Sequence, residues 1–141
     1  HAFIDAACMW MIKNPDWFDV CVTTNLFGDI ITDLGAMLIG GMGIAASGNI
    51  HPGKVSMFEG IHGSAPKYKG TDKASPLATI LAMGLMLEHI GEIAASKELE
   101  ATVASLIQTG KVRSLKAGDH KCSELGSMVR DALLERARSK R

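Results

Sequence analysis

Apolar positions fall into short blocks separated by polar, glycine-containing links. Residues 3–12 (FIDAACMWMI) are apolar, rich in Ala and Met and free of helix breakers. They predict a well-buried helix, ended by Asn14-Pro15. Residues 18–23 (FDVCVT) form a short β-rich run that predicts a buried strand. In residues 28–39 the apolar side chains Ile30, Ile31, Leu34, Met37 and Leu38 cluster on one face at helical spacing. That helix should stop at Gly40-Gly41, before a loop rich in Gly, Ser and Asn that runs to Gly53. Residues 55–59 predict a second strand.

Residues 62–75 (HGSAPKYKGTDKAS) predict a long loop, and long loops in compact domains usually carry function. Ser75 as N-cap and Pro76 at the first helical position then open a helix over 77–90. That segment is apolar nearly all round, the pattern of a buried helix. Residues 92–108 and 123–136 predict two amphipathic helices. Strands alternating with helices give an α/β class.

Composition narrows the functional classes. Apolar residues make up 47% of the 141 residues, enough for a core; only the last few residues read as disordered. The chain carries 15 acidic and 15 basic residues, so no basic excess marks a nucleic-acid partner. The basic end, Arg136 to Arg141, is ordinary for a helix C-terminus. Cys8, Cys21 and Cys122 stand far apart with no CxxC, which suits a reducing, cytoplasmic location. No signal peptide is visible, and the longest apolar stretch, 77–87, is too short for a membrane span. The chain starts at His1 inside a helical pattern and reads as a piece with upstream sequence missing.

Asp29 and Asp33 stand four apart on the 28–39 helix, so their Cβ atoms should lie roughly 5–6 Å apart on one face. On a helical wheel both lie away from the Ile/Leu/Met face. Like charges that close repel unless a cation sits between them, and Mg²⁺ or Mn²⁺ takes carboxylate oxygen. An isolated DxxxD is more often a solvated polar face. Asp5 is a lone acid on an apolar helix, equally readable as an edge residue reaching solvent. The 62–75 loop sets Lys67, Lys69 and Lys73 around the chain's single tyrosine, Tyr68. Lysines can meet phosphate and an aromatic ring can cover a base or sugar; by composition alone a solvated loop is the better reading. There is no GxGxxG, so this is not a Rossmann fingerprint. His62 is a lone histidine, more often structural than catalytic.

Three segments change these weights. NLFGDIITD (25–33), FEGIHGSAP (58–66) with Ala74-Ser75-Pro76 after it, and Phe3-Ile4-Asp5-Ala6 resemble, in combination and order, the isopropylmalate/isocitrate dehydrogenase family. CSELG (122–126) resembles the start of that family's last helix. The resemblance covers nearly the whole chain and implies the C-terminal portion of that fold. An interface helix would occupy residues 1–15 and a metal- and cofactor-binding part residues 16–141.

The resemblance implies NAD- or NADP-dependent oxidation of a 2-hydroxy acid, followed by loss of its β-carboxylate as CO₂, with Mg²⁺ or Mn²⁺ as Lewis acid. Asp29 and Asp33 match two metal ligands, and Asp5 matches a third, donated across a homodimer interface. His62, Gly63, Ser64 and Ala65 match the wall around the cofactor's riboses; Lys67 and Tyr68 match the pair that reads its 2′ position. Ser75 stands where the family commonly has an Asn touching adenine, and Gly60 where it usually has Pro, a change expected to loosen the loop. The family's substrate-binding arginines and its catalytic Tyr and Lys lie upstream and have no counterpart here.

Ser64 and NLFGDI lean to the isopropylmalate branch, whereas Lys67-Tyr68 fits NADP-dependent isocitrate enzymes. Tartrate- or malate-decarboxylating enzymes are a further alternative, and a non-catalytic nucleotide-binding or dimerisation fragment is the reading from another class. No nucleic acid or membrane is implied as a partner.

Overall fold

In the computed structural model, which describes residues 1–139, the apolar blocks become five α-helices and one small ladder. They are α1 (Ile4–Lys13), α2 (Asn25–Leu38), β1 (Ala46–Asn49), β2 (Met57–Gly60), α3 (Leu77–His89), α4 (Ile93–Gln108) and α5 (Cys122–Ser139). Short 3₁₀ turns occupy Pro15–Trp17 and Pro66–Tyr68. The class is mixed α/β, mostly helical. The last two basic residues, and with them part of the expected disordered end, lie outside the described residues.

The core forms where α3, α4 and α5 meet. Leu77, Leu99, Val103, Leu106, Val112, Leu125 and Val129 close it, with Leu77 at 0% exposure. Gly84 of α3 is buried against α4, and a Cβ there would stand in ordinary van der Waals contact with Leu99 Cδ2 at 3.7 Å. The other side of α3 packs against β1 and β2. These strands run antiparallel, pairing Ala46 with Gly60 and Asn49 with Met57. The ladder continues one bond further, with Ile61 N donating to Ala45 O at 3.2 Å.

The start of α3 follows its predicted cap. Ser75 Oγ accepts from Leu77 N at 3.3 Å, and Pro76 O accepts from Ile80 N at 3.0 Å, so the missing proline N–H costs nothing.

The N-terminal third differs from expectation. Residues 18–23 form no strand, because a strand exists only through a ladder partner and none of the described residues offers one. Val20 and Val22 are 86% and 96% exposed. Helix α1 is not well buried: only Ala7 is enclosed, while Phe3, Met9, Trp10 and Ile12 face outward. It packs on α2 and the Pro15–Trp17 turn. The second strand is shifted to Met57–Gly60, leaving Val55 exposed. Its partner β1 was not expected, since Ala-Ser-Gly-Asn has no β-branched or aromatic residue. All three cysteines are free. Among the described residues no helix is long and apolar enough to cross a membrane.

Candidate functional site

Helix α2 begins at Asn25, a turn earlier than its apolar stripe, and this places Asp29 in its second turn. Asp29 and Asp33 are both exposed, and both line a cleft of about 800 Å³ between α2 and the β1–β2 ladder. Asn25 Nδ2 donates to Asp29 Oδ2 at 3.3 Å, which orients that carboxylate. The Thr32 hydroxyl turns back to the Gly28 and Asp29 carbonyls, at 3.0 and 3.1 Å, so it does not compete for the carboxylates. Glu59 from β2 lines the same cleft. Two like-charged carboxylates on one helical face, open to a cleft, fit a hard divalent cation.

Asp5 opens elsewhere. It sits in the first turn of α1, with Oδ1 accepting from Ala6 N at 2.8 Å. It lines a second cleft of about 610 Å³, with Phe3, Phe18, Val22 and Phe27. Among the described residues no group of three or more His, Cys, Asp or Glu side chains converges on one point. One chain therefore brings together two of the three matched acids and holds the third apart.

The 62–75 loop leaves β2 through Ile61 and reaches the foot of α3. Ala65 adopts a left-handed conformation, φ +42°, which turns the chain into the Pro66–Tyr68 helical turn. Tyr68 N closes that turn on Ala65 O at 2.8 Å. Lys67 Nζ lies 4.9 Å from the centre of the Tyr68 ring, so the two side chains form one contiguous cationic–aromatic unit. Gly63 and Ser64 are exposed beside them.

His62 points inward. Its Nδ1 lies 3.2 Å from Gly63 O, and its Nε2 is buried without a hydrogen-bond partner. The ring occupies space that exists only because residue 60 is glycine: a Cβ there would stand 2.7 Å from His62 Nε2 and 3.0 Å from Ala78 Cβ. Gly60 is buried at the end of the ladder, paired with Ala46.

Two ties fix the far half of the loop. The Ser75 hydroxyl donates to Gly43 O at 3.0 Å while accepting from Leu77 N. Its proton is thus committed within the chain. Asp72, left-handed at φ +54°, accepts two bonds from Ser123 at the start of α5, 3.0 Å from its N–H and 2.6 Å from its hydroxyl. The Ser123 side chain, then its backbone N–H, hold the Asp72 carboxyl below the ordinary carboxylate value. Because the folded value is lowered, this contribution to stability is present at neutral pH. It fades as pH falls from the ordinary carboxylate range down through the lowered value. Asp72, Asn25 and Glu59 were not singled out from sequence. Only Asp72 left a trace there, an acid followed by Lys two residues after a loop glycine.

Three comparisons bear on this geometry. A family model described as isocitrate/isopropylmalate dehydrogenase matches residues 1–129. A 3-isopropylmalate dehydrogenase of Thermobifida fusca is 47% identical over 137 residues, 96% of this chain but 38% of the relative. One from Streptomyces coelicolor is 51% identical over 113 residues, 78% of this chain and 33% of the relative. Among solved structures, isocitrate dehydrogenase from Methylococcus capsulatus superposes with TM-score 0.80 at 44% identity, over 97% of this chain and 40% of that one. The TT0538 protein from Thermus thermophilus gives TM-score 0.82 at 36% identity, over 94% and 28%. The chain thus spans well under half the length of the proteins it matches.

The His62 pocket gives a direct prediction. Gly60→Ala should expel the imidazole, because neither the ladder backbone nor Ala78 can retreat. The displaced ring tip is the far end of a flexible side chain and its unpartnered Nε2 gains solvent on leaving, so the cost should fall at the low end of the about 1–3 kcal/mol typical of overpacking. Chemical denaturation should show the loss, and the His62 ring resonances should shift toward those of a solvated histidine. Unchanged stability and an unmoved ring would mean that the pocket is not closed by residue 60.

Proposed function

This chain belongs to the isocitrate/isopropylmalate dehydrogenase family, and from that premise we propose that it is the metal- and cofactor-binding C-terminal portion of a 3-isopropylmalate dehydrogenase. The reaction would be the NAD(P)-dependent oxidative decarboxylation of 3-isopropylmalate to 2-oxoisocaproate, a step of leucine biosynthesis. Hydride would leave the hydroxyl-bearing carbon for the nicotinamide, the hydroxyl proton would be lost, the β-carboxylate would depart as CO₂, and the enolate left behind would take up a proton at carbon to give 2-oxoisocaproate. The curated relatives at about half identity carry that activity in their names. The observation that carries the reading is the Asp29/Asp33 pair, exposed on one face of α2 and facing a cleft.

Each group in the chain takes a role on this reading. Asp29 and Asp33, with Asp5 of the partner subunit, hold Mg²⁺ or Mn²⁺, which when bound supplies Lewis-acid polarisation of the substrate oxygen. Asn25 keeps the Asp29 carboxylate oriented. His62, Gly63, Ser64 and Ala65 wall the ribose region of NAD or NADP. Ser75, whose hydroxyl proton is engaged by Gly43, contributes by anchoring the loop and offers a cofactor at most an acceptor. The substrate arginines and the proton-transfer Tyr and Lys have no counterpart among these 141 residues, so the chain by itself should not turn over substrate. A homodimer follows from the shared site, and the uncovered apolar side chains of α1 and α2 agree with it. The three unpaired cysteines fit a cytoplasmic location.

Isocitrate dehydrogenase is the second reading, favoured by the Lys67–Tyr68 unit. A lysine at the adenosine ribose attracts a 2′-phosphate where an acid would accept from the 2′-hydroxyl and favour NAD. Charge-assisted bonds are worth about 1.5–3 kcal/mol when desolvated. Lys67 is exposed, so the lower end applies, roughly tenfold in discrimination.

Two outcomes follow for the full-length protein that carries this chain. Asp29→Asn should abolish Mg²⁺- or Mn²⁺-dependent turnover of 3-isopropylmalate while leaving the circular dichroism spectrum and melting temperature unchanged; activity that survives would remove the metal assignment, and a parent turning over isocitrate alone would replace the substrate. Lys67→Asp with Tyr68→Ile should move the kcat/KM ratio of NADP over NAD by about tenfold toward NAD. A ratio that stays put, or a parent already strongly selective for NAD, would show that this pair does not read the 2′ position.

A further inference from the structure

The clamp between Asp72 and α5 has no part in the roles assigned above. Among the described residues it is the place where the 62–75 loop is tied by a cluster of bonds to an element distant in sequence. Ser123 N and Ser123 Oγ donate to the two carboxylate oxygens of Asp72, 51 residues away, at 3.0 and 2.6 Å. Cys122 N donates to the Asp72 carbonyl at 2.8 Å, and Gly118 N to the Lys73 carbonyl at 3.0 Å. The post to which the loop is tied is firm, because α5 sends Leu125 and Val129 into the core with Leu99 and Val103.

From Asp72 the constraint runs back along the chain in two short steps. Thr71 donates both its backbone N–H and its hydroxyl to the Tyr68 carbonyl, at 3.1 and 2.8 Å. Tyr68 N in turn closes on Ala65 O at 2.8 Å. The segment between the two, Lys69-Gly70, is short, and Gly70 is left-handed at φ +73°. The backbone carrying Lys67 and Tyr68 is therefore registered against α5 through Thr71 and Asp72. Asp72 itself holds φ +54°, a conformation L side chains rarely adopt. An aspartate is kept there against that preference because its carboxylate, which a glycine would lack, is bound at both oxygens.

We propose that Asp72 is a positioning residue for the cofactor loop, clamping it to the first turn of α5 so that Lys67 and Tyr68 stand where they meet the dinucleotide. This rests on the functional reading above and deepens it. Asp72 touches no cofactor on this account; it acts through Thr71 and Tyr68. The ordered loop spares the dinucleotide the entropy of ordering it, so the effect belongs in cofactor affinity and not in the chemical step.

The test uses the full-length protein with four variants. Asp72→Gly keeps the left-handed backbone free of strain and removes the carboxylate at the cost of added backbone freedom, which Ser123→Ala does not share. Ser123→Ala removes the hydroxyl donor from the other side and leaves Asp72 in place. Asp72→Asn retains an acceptor for Ser123 N and serves as the conservative rescue. Arg130→Ala, on α5 but two turns beyond the clamp and paired with Asp131, is the control.

Asp72→Gly and Ser123→Ala should raise the KM for the dinucleotide roughly fivefold or more, with kcat and the KM for the 2-hydroxy acid held within about twofold. Asp72→Asn should recover part of the loss and Arg130→Ala should match the parent. Trypsin should cut after Lys67 and Lys69 several-fold faster in the first two variants, and added NADPH should suppress that cutting. A parent that binds neither NADPH nor NADH removes the functional reading and this inference with it. A parent that binds, with clamp variants that bind equally well, removes this inference alone. A fall in melting temperature without a change in cofactor KM does the same, since it would mark the clamp as structural only.

Discussion

The Gly43 carbonyl joins the two halves of the site. It accepts from Ala78 N at 3.1 Å, in the first turn of α3, and from the Ser75 hydroxyl at 3.0 Å. Those bonds dock the segment between α2 and β1 on the start of α3, and hence set the acids of α2 relative to the end of the cofactor loop. The position must be small: a Cβ on Gly43 would stand 3.3 Å from Leu115 O and 3.4 Å from Ser75 Cβ. Both donors lie next to Leu77, the most enclosed leucine of the core, so the junction is held by packing as well as by hydrogen bonds. A carbonyl with two donors has both lone pairs satisfied, and losing either donor in this half-buried setting is costly.

Away from that junction the chain divides by environment. From α3 to α5 the helices enclose one another around a buried apolar cluster, with Met83, Met86, Ile93 and Leu134 left at its exposed margins. From Phe3 to Ile39 they are not, and Trp17, Leu26, Ile30 and Met37 all face outward with Val20 and Val22. Isolated exposed apolar residues are ordinary, but so many in one third of the chain fit the shared dimer site proposed above. The relatives supply the scale, since this chain spans 38% of one of them. The separation of Asp5 from Asp29 and Asp33 lies on the same uncovered side, which links the missing contacts to the incomplete acid set.

What the sequence disclosed depended on how local each feature is. Helices α2 to α5 were legible because their apolar spacing and caps, such as Ser75-Pro76, act within one segment. The strand expected at 18–23 was misplaced because β structure is a property of pairs, and periodicity cannot say whether a partner is present. Strand β1 was invisible because Ala46-Ser47-Gly48-Asn49 pairs through its backbone and has no β-forming side chains. The burial expected of α1 failed for the same reason as the strand: hydrophobicity states what a helix needs and not whether the need is met. Among site residues, the Asp29/Asp33 geometry followed from helical spacing alone. The Asp72–Ser123 clamp joins residues 51 apart and could not be read from either end. The inward His62 ring was hidden too, since it depends on the absence of an atom at Gly60.

The central claim is that the metal site is shared, with Asp29 and Asp33 from one subunit and Asp5 from its partner. Subunit mixing tests it most directly. Asp5→Asn and Asp33→Asn forms of the full-length protein should each be inactive as pure dimers. Unfolded and refolded together in equal amounts, they form hybrids in which both defects fall in one site and the other site is intact. Roughly a quarter of wild-type activity should return, half the dimers carrying one good site of two. Activity that stays at the level of the separate variants, with hybrid dimers demonstrated by mass spectrometry, would contradict the shared site.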